Sequence, residues 1–275
     1  MTRGPTYYPS RGICIYCRAT ESLSDEHIVP LSLSGTHVLR DASCGDCRDK
    51  TSNFEGKVAK AMWGDARHAF DQPSRRKKNR PQQMTVPGST LSVPATEYPA
   101  GFVFYKMGHC GFLRGLHETQ DISPQWQFVV IDDDGRRSKF TEKYRQQPTI
   151  KFTHVPQEFG RLLAKIGYCN ALTILGPDDF QPLALPYIMG DKTNVSYIVG
   201  SADGSPEPDN GYRMTTGYSD QGDRIVIATE IRLYANTHAP TYHVIVGVVT
   251  GADAITKAKA KLEPGPNEEF GLLRF

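Results

Sequence analysis

The sequence lacks the features that mark several large classes of protein. No stretch reaches the ~18 consecutive apolar residues of a membrane-crossing helix, so no membrane partner is expected. The opening MTRGPTYYPSRG has no apolar core of the kind a secretory signal carries, and a cytoplasmic location is the expectation. Neither charge is in excess, with 32 Lys and Arg against 30 Asp and Glu, a net +2. That excludes a histone-like polycation or an acidic tail, but a local basic patch can hide inside a neutral total. No internal repeat is present. The residues beyond 100 contain no GxGxxG, Walker or GxSxG motif, which removes the dinucleotide-binding, P-loop and α/β-hydrolase readings.

What is present is unevenly distributed. Residues 1–82 hold 14 Lys and Arg against 9 Asp and Glu, a net +5, whereas the other 193 residues hold 18 against 21, a net −3. The basic part ends in Arg75, Arg76, Lys77, Lys78 and Arg80, a run that reads as a solvated loop or as a phosphate contact. The six cysteines divide in the same way. Cys14-Ile-Tyr-Cys17 and Cys44-Gly-Asp-Cys47 are two CxxC pairs, and each offers two thiolates from one tight turn, the arrangement of a tetrahedral four-cysteine zinc site. Cys110 and Cys169 stand alone and read as small buried hydrophobes.

Between the two pairs lies Ser24-Asp25-Glu26-His27-Ile28-Val29-Pro30, which reads as a short strand stopped by the proline. After the second pair, Phe54, Val58, Ala61 and Met62 recur at spacings of three and four and predict an amphipathic helix. The order is therefore knuckle, strand with an acid-His pair, turn, knuckle, helix. This order, with Cys14, Cys17, Glu26-His27-Ile28-Val29-Pro30, Cys44 and Cys47, resembles the HNH nucleases, the ββα-metal endonucleases with a CxxC…CxxC zinc frame. The wider stretch is similar to bacterial and phage proteins described only as HNH endonucleases.

The resemblance covers about residues 12–62, and it implies a hydrolase that cuts DNA phosphodiester bonds. His27 would be the general base, since an imidazole titrating near ~6.5 can take a proton from water at neutral pH. Glu26 would hold one divalent ion, Mg²⁺ or Mn²⁺, because oxygen ligands suit those ions, while Zn²⁺ on the four cysteines holds the fold. The family's helix-borne ligand follows the second CxxC, where this chain has Arg48 instead. Asp49 and Asn53, four apart on one helix face, are the nearest substitutes, with Glu55 a third. His37 or Asp41 stands where a residue steadying the base is expected, although His37 also reads as a surface histidine. Adjacent strand residues face opposite ways, so Glu26 and His27 reach one phosphate only with a bend or bulge. Arg48, Lys57, Lys60 and the basic run are candidate phosphate contacts. Proteins of this kind serve restriction, antiviral defence or mobile elements. The departures at Arg48 leave a second reading, a catalytically degenerate zinc-ribbon protein that binds nucleic acid or regulates.

The expected fold class is α+β: an N-terminal zinc-stabilised ββα-metal (HNH) module over 1–82, a linker or edge strand over 83–100, and a mixed, largely antiparallel α+β domain over 101–275. In that last part Phe102–Tyr105 and Trp126–Ile131 read as strands, and Asp132–Gly135 as a strand-ending turn. Pro156–Leu175 is the best helix, with Phe159, Leu162, Leu163, Ile166 and Cys169 as one apolar stripe. Further strands or short segments are expected at 195–199, 212–216, 225–234 and 242–249. Nothing in this region names a function, and a homo-oligomer is left open. His68, near the basic run, reads as a solvated helix-end residue, whereas His109, His117, His154, His238 and His243 show no metal spacing and read as structural.

Overall fold

The computed structural model describes residues 4–72, 80–132, 134–207 and 211–263. Arg75, Arg76, Lys77 and Lys78 of the basic run lie outside the described residues. The N-terminal part holds β1 (Thr6–Tyr8), β2 (Ser24–His27), β3 (His37–Ser43) and α1 (Gly45–Lys57). β3 is the centre of a three-stranded sheet, with β1 parallel on one side and β2 antiparallel on the other. α1 continues through a π-helical turn at Val58–Met62 and is followed by α2 (Gly64–Ala69). The predicted amphipathic face is real: Phe54, Val58 and Met62 are buried.

Two short antiparallel pairs follow, β4 (Gln83–Thr85) with β5 (Ser92–Pro94), and β6 (Phe102–Lys106) with β7 (Gln127–Ile131). α3 (Arg136–Tyr144) comes next, and the amides at its start are met by Asp132 and Asp134 carboxylates: Arg136 N donates to Asp132 Oδ1 at 3.0 Å and to Asp134 Oδ1 at 3.1 Å. These two acids of the Asp132–Gly135 segment therefore serve a helix start. The main sheet runs β10 (Tyr212–Asp220), β11 (Arg224–Leu233), β12 (Thr241–Thr250) and β8 (Gln181–Pro182), with β9 (Val199–Ala202) also paired to β12, every pairing antiparallel. α5 (Leu185–Met189) and α6 (Ala252–Leu262) complete the described elements. The strand or short segment expected at 195–199 is a 3₁₀ turn at Val195–Tyr197 leading into β9, and β10 runs four residues beyond its expected end at Thr216.

α4 (Pro156–Ala171) is the axis of the molecule. It packs on β10, β11 and β12 on one side and on α1 and α5 on others. The expected apolar stripe is therefore only part of its contact surface. Every residue from Leu162 to Ala171 is buried, as befits a helix covered all round. Gly160 permits this closeness: a Cβ there would stand 2.4 Å from Val195 Cγ2. The carbonyls past its C-terminal end are met by Arg11, which donates to Leu172 O and Leu175 O at 2.8 Å each.

One hydrophobic cluster extends from Cys14 to Leu262 and includes Met84, Val86, Val93, Tyr98 and Ala100 from the segment read as a linker. Trp63 ties its parts together. Its indole donates to Val103 O at 2.6 Å, and its ring meets Phe102, Phe104 and Phe159 at 5.3–6.0 Å. The core is thus shared by the N-terminal module, β6 and α4. Among the described residues no helix is long and apolar enough to cross a membrane.

Candidate metal centre and nucleic-acid interface

The two knuckles meet because the second one is also the start of a helix. Cys14 and Cys17 sit in a turn closed by Arg18 N on Cys14 O at 2.9 Å, with Arg18 in the left-handed region at φ 67°. Cys44 is the N-cap of α1 and Cys47 lies in its first turn. The hairpin β2–β3 brings the two together. The ligand sulfurs of Cys14, Cys17, Cys44 and Cys47 all lie within 4.8 Å of one another. A tetrahedral Zn²⁺ with Zn–S bonds of about 2.3 Å sets sulfurs about 3.8 Å apart, so the donor set and its spacing fit that ion. The sulfurs of Cys17 and Cys44 are 3.5 Å apart, far beyond a disulfide bond, and all six cysteines are free. Burial raises Cys14, but amides of the two knuckles outweigh it and hold the thiol below its ordinary value. Burial and the neighbouring thiols push Cys47 up.

Glu26 does not face water. It is 6% exposed, and its carboxylate lies 2.7 Å from the ammonium of Lys165 on α4. Glu55 of α1 approaches the same nitrogen to 2.9 Å. Lys165 Nζ also donates to His27 O, and to Ile28 O at 3.3 Å, so it closes the end of β2 as well. Lys165 itself is 0% exposed. Burial opposes its charge, yet the two carboxylates outweigh burial and hold the ammonium protonated well above the usual lysine range. Burial, joined by the charge of Glu26 and opposed by Lys165, raises Glu55 above the ordinary carboxyl range. Two acids from two elements therefore converge on one cation, and that cation is a side chain.

His27 is half-buried and points the other way. Its Cα partner on β3 is Val38, whereas that of Glu26 is Leu39, so the pleat puts the imidazole and the carboxylate on opposite faces. The expected irregularity exists, but between Ser24 and Glu26, one step too early to turn the two side chains together. His37 falls on the Glu26 face, opposite His27. It is held there by Tyr8, whose hydroxyl is 2.8 Å from Nδ1, and by the edge of Tyr212. Burial lowers its pKa.

The other candidates are scattered over the surface. Asp49 and Asn53 are exposed on α1, and the Asp49 carboxylate lies 3.8 Å from Arg48. Arg48 also reaches Ser24 Oγ at 3.5 Å. Asp41 is exposed, and its amide donates to Asp25 Oδ1 at 3.2 Å. Lys57 is paired with Glu158 at 2.9 Å, and Lys60 is exposed. Arg80 is turned back on Asp71 and on the carbonyl of Gln72. A cavity of about 410 Å³ is lined by Phe70, Phe102, Phe104 and Tyr234 among others, and by none of the candidate metal, base or phosphate-contact residues.

The sequence reading missed Lys165. Its signal was a charge inside an apolar stripe, three residues after Leu162 and four before Cys169. No family model matches this chain, and no curated protein or solved structure matches it.

Proposed function

We propose that the N-terminal part is a zinc-framed ββα module that binds nucleic acid without a divalent ion at Glu26, the position where the resemblance to HNH nucleases implies one. The observation that carries this is the fully buried Lys165 ammonium between Glu26 and Glu55. A divalent ion could sit there only if α4 gave up its lysine, and two like cations a few ångströms apart in a buried site repel strongly. The order hairpin, knuckle, helix and the net positive charge of residues 1–82 support nucleic acid as the partner.

A second reading, a metal-dependent DNA endonuclease with His27 as general base, is favoured by one fact: acids from β2 and α1 converge on one point, and one of them, Glu26, adjoins His27 in the chain. In that reaction His27 would take the proton of the attacking water while the ion offsets charge on the leaving 3′-oxygen. One experiment separates the two. Supercoiled plasmid is incubated with the zinc-loaded protein in Mg²⁺ or Mn²⁺, beside His27→Ala, and binding is followed by gel shift over a range of salt. Salt-sensitive binding with intact plasmid is the expected result. Cleavage that disappears in His27→Ala would establish the nuclease instead.

A further inference from the structure

The outward face of the small sheet carries a composition that the zinc centre does not use. Tyr7 of β1 and His27 of β2 both take Val38 of β3 as their Cα partner, so the three stand in one row across the sheet. Residues in such a row project to the same side, and Arg40, two residues along β3, joins them. The neighbouring row of Tyr8, Leu39 and Glu26 faces the core. Val38 is shielded yet is not part of the hydrophobic cluster to which Leu39 and Ala42 belong, as expected for a residue on the outer face. Tyr7 is 50% exposed, among the few large apolar side chains left open to water. The Arg40 guanidinium lies 4.5 Å above its ring, and among the described residues Arg40 makes no ion pair.

We propose that this face is a platform for an unpaired nucleotide of single-stranded nucleic acid, with the base stacked on the Tyr7–Arg40 pair and the adjoining phosphate on the Arg40 N–H groups. It rests on the nucleic-acid reading above and narrows it to a class of strand. A guanidinium stacked on a ring keeps its in-plane N–H groups free for a phosphate. A flat aromatic group on a sheet face can meet the π-face of a base only when that base is not already stacked inside a duplex. Half-buried His27 stands at the far end of the same row, next to the bound strand.

Fluorescence anisotropy of the zinc-loaded full chain tests this with three probes: a short oligothymidylate, an oligouridylate of equal length, and a duplex of that length. The single strands should bind more tightly than the duplex. Tyr7→Leu should weaken single-strand binding roughly ten-fold, and Tyr7→Phe should restore it. Arg40→Gln should weaken binding and reduce the slope of log K against log salt by about 1. Zinc content and a thermal melt confirm that each variant is folded, and Arg40→Gln serves if Tyr7→Leu is not. Duplex binding with Tyr7→Leu and Arg40→Gln within about two-fold of wild type would overturn the platform while leaving the nucleic-acid reading intact. Failure of all three probes to bind would overturn both. The ratio between the two single strands tells whether DNA or RNA is preferred.

Discussion

Lys165 and Glu26 stand 139 residues apart in the chain, and their charged groups are 2.7 Å apart in the core. A charge pair this deep stabilises little in net terms, since desolvation offsets most of the attraction, but removing one partner strands the other. Lys165→Met should therefore cost about 3–5 kcal/mol in urea unfolding, because it leaves Glu26 and Glu55 facing each other in the core. The triple variant Lys165→Met, Glu26→Gln, Glu55→Gln should recover most of that loss. If Lys165→Met alone is as stable as wild type, the buried triad is not the constraint described above.

The same triad sets an alkaline limit. The folded state raises Lys165 above its unfolded value, so its contribution is complete below the unfolded lysine pKa near ~10.4 and is lost as pH rises through the higher folded value. Wild type should therefore lose stability steeply above about pH 10, and the triple variant should lose less over the same range. Parallel melts across that window read the difference.

Cys17 is the exposed member of the four cysteines, so its replacement removes little packing. Cys17→Ser should nevertheless abolish zinc binding at this cluster, as counted by elemental mass spectrometry. It should also lower Tm by about 5–15 °C, the range for a loss of a few kcal/mol in a chain of this size. A chelator added to wild type should reproduce that shift, and zinc should reverse it. A variant that keeps its Tm after losing zinc would show that the knuckles fold without metal.

His243 predicts an acid limit. It lies on β12 with Nε2 accepting the Cys110 amide at 3.3 Å, and burial, helped by His109, lowers its pKa to about 4. A depressed histidine gives stability that is present above the unfolded value of ~6.5 and is lost as pH falls towards the folded value. Over that window the loss amounts to about 3 kcal/mol at about 1.4 kcal/mol per unit. His243→Gln should flatten the pH dependence between about pH 6.5 and 4. Equal slopes in the two proteins would assign the acid sensitivity elsewhere.

Local features were legible and distant pairings were not. The two CxxC pairs announced the four-cysteine cluster because each pair is made by one turn, and the helix carrying Phe54, Val58 and Met62 follows from spacing alone. The antiparallel character of the C-terminal sheet could be read from alternating strands and turn residues. The parallel pairing of β1 with β3 could not, because Thr6–Tyr8 is too short to carry a pattern. The Lys165 site was hidden for a related reason. Nothing near Lys165 says which carboxylates, more than a hundred residues earlier, will meet it. Asp49 and Asn53 stand nearest to Cys47 in sequence, whereas helical phase turns Glu55 inward and leaves those two in water.

The central position of α4 bears on how such a chain can change over time. Its Lys165 neutralises acids of the N-terminal module, its Tyr168 hydroxyl donates to Ile15 O at 2.7 Å beside the first knuckle, and its remaining surface seats the C-terminal sheet. The part of the chain built around the four cysteines could not be moved to another protein as a cassette ending near residue 82. It would arrive with two inward carboxylates and no counter-charge. The two parts of this chain are therefore bound to diverge together, each limiting the substitutions the other can accept.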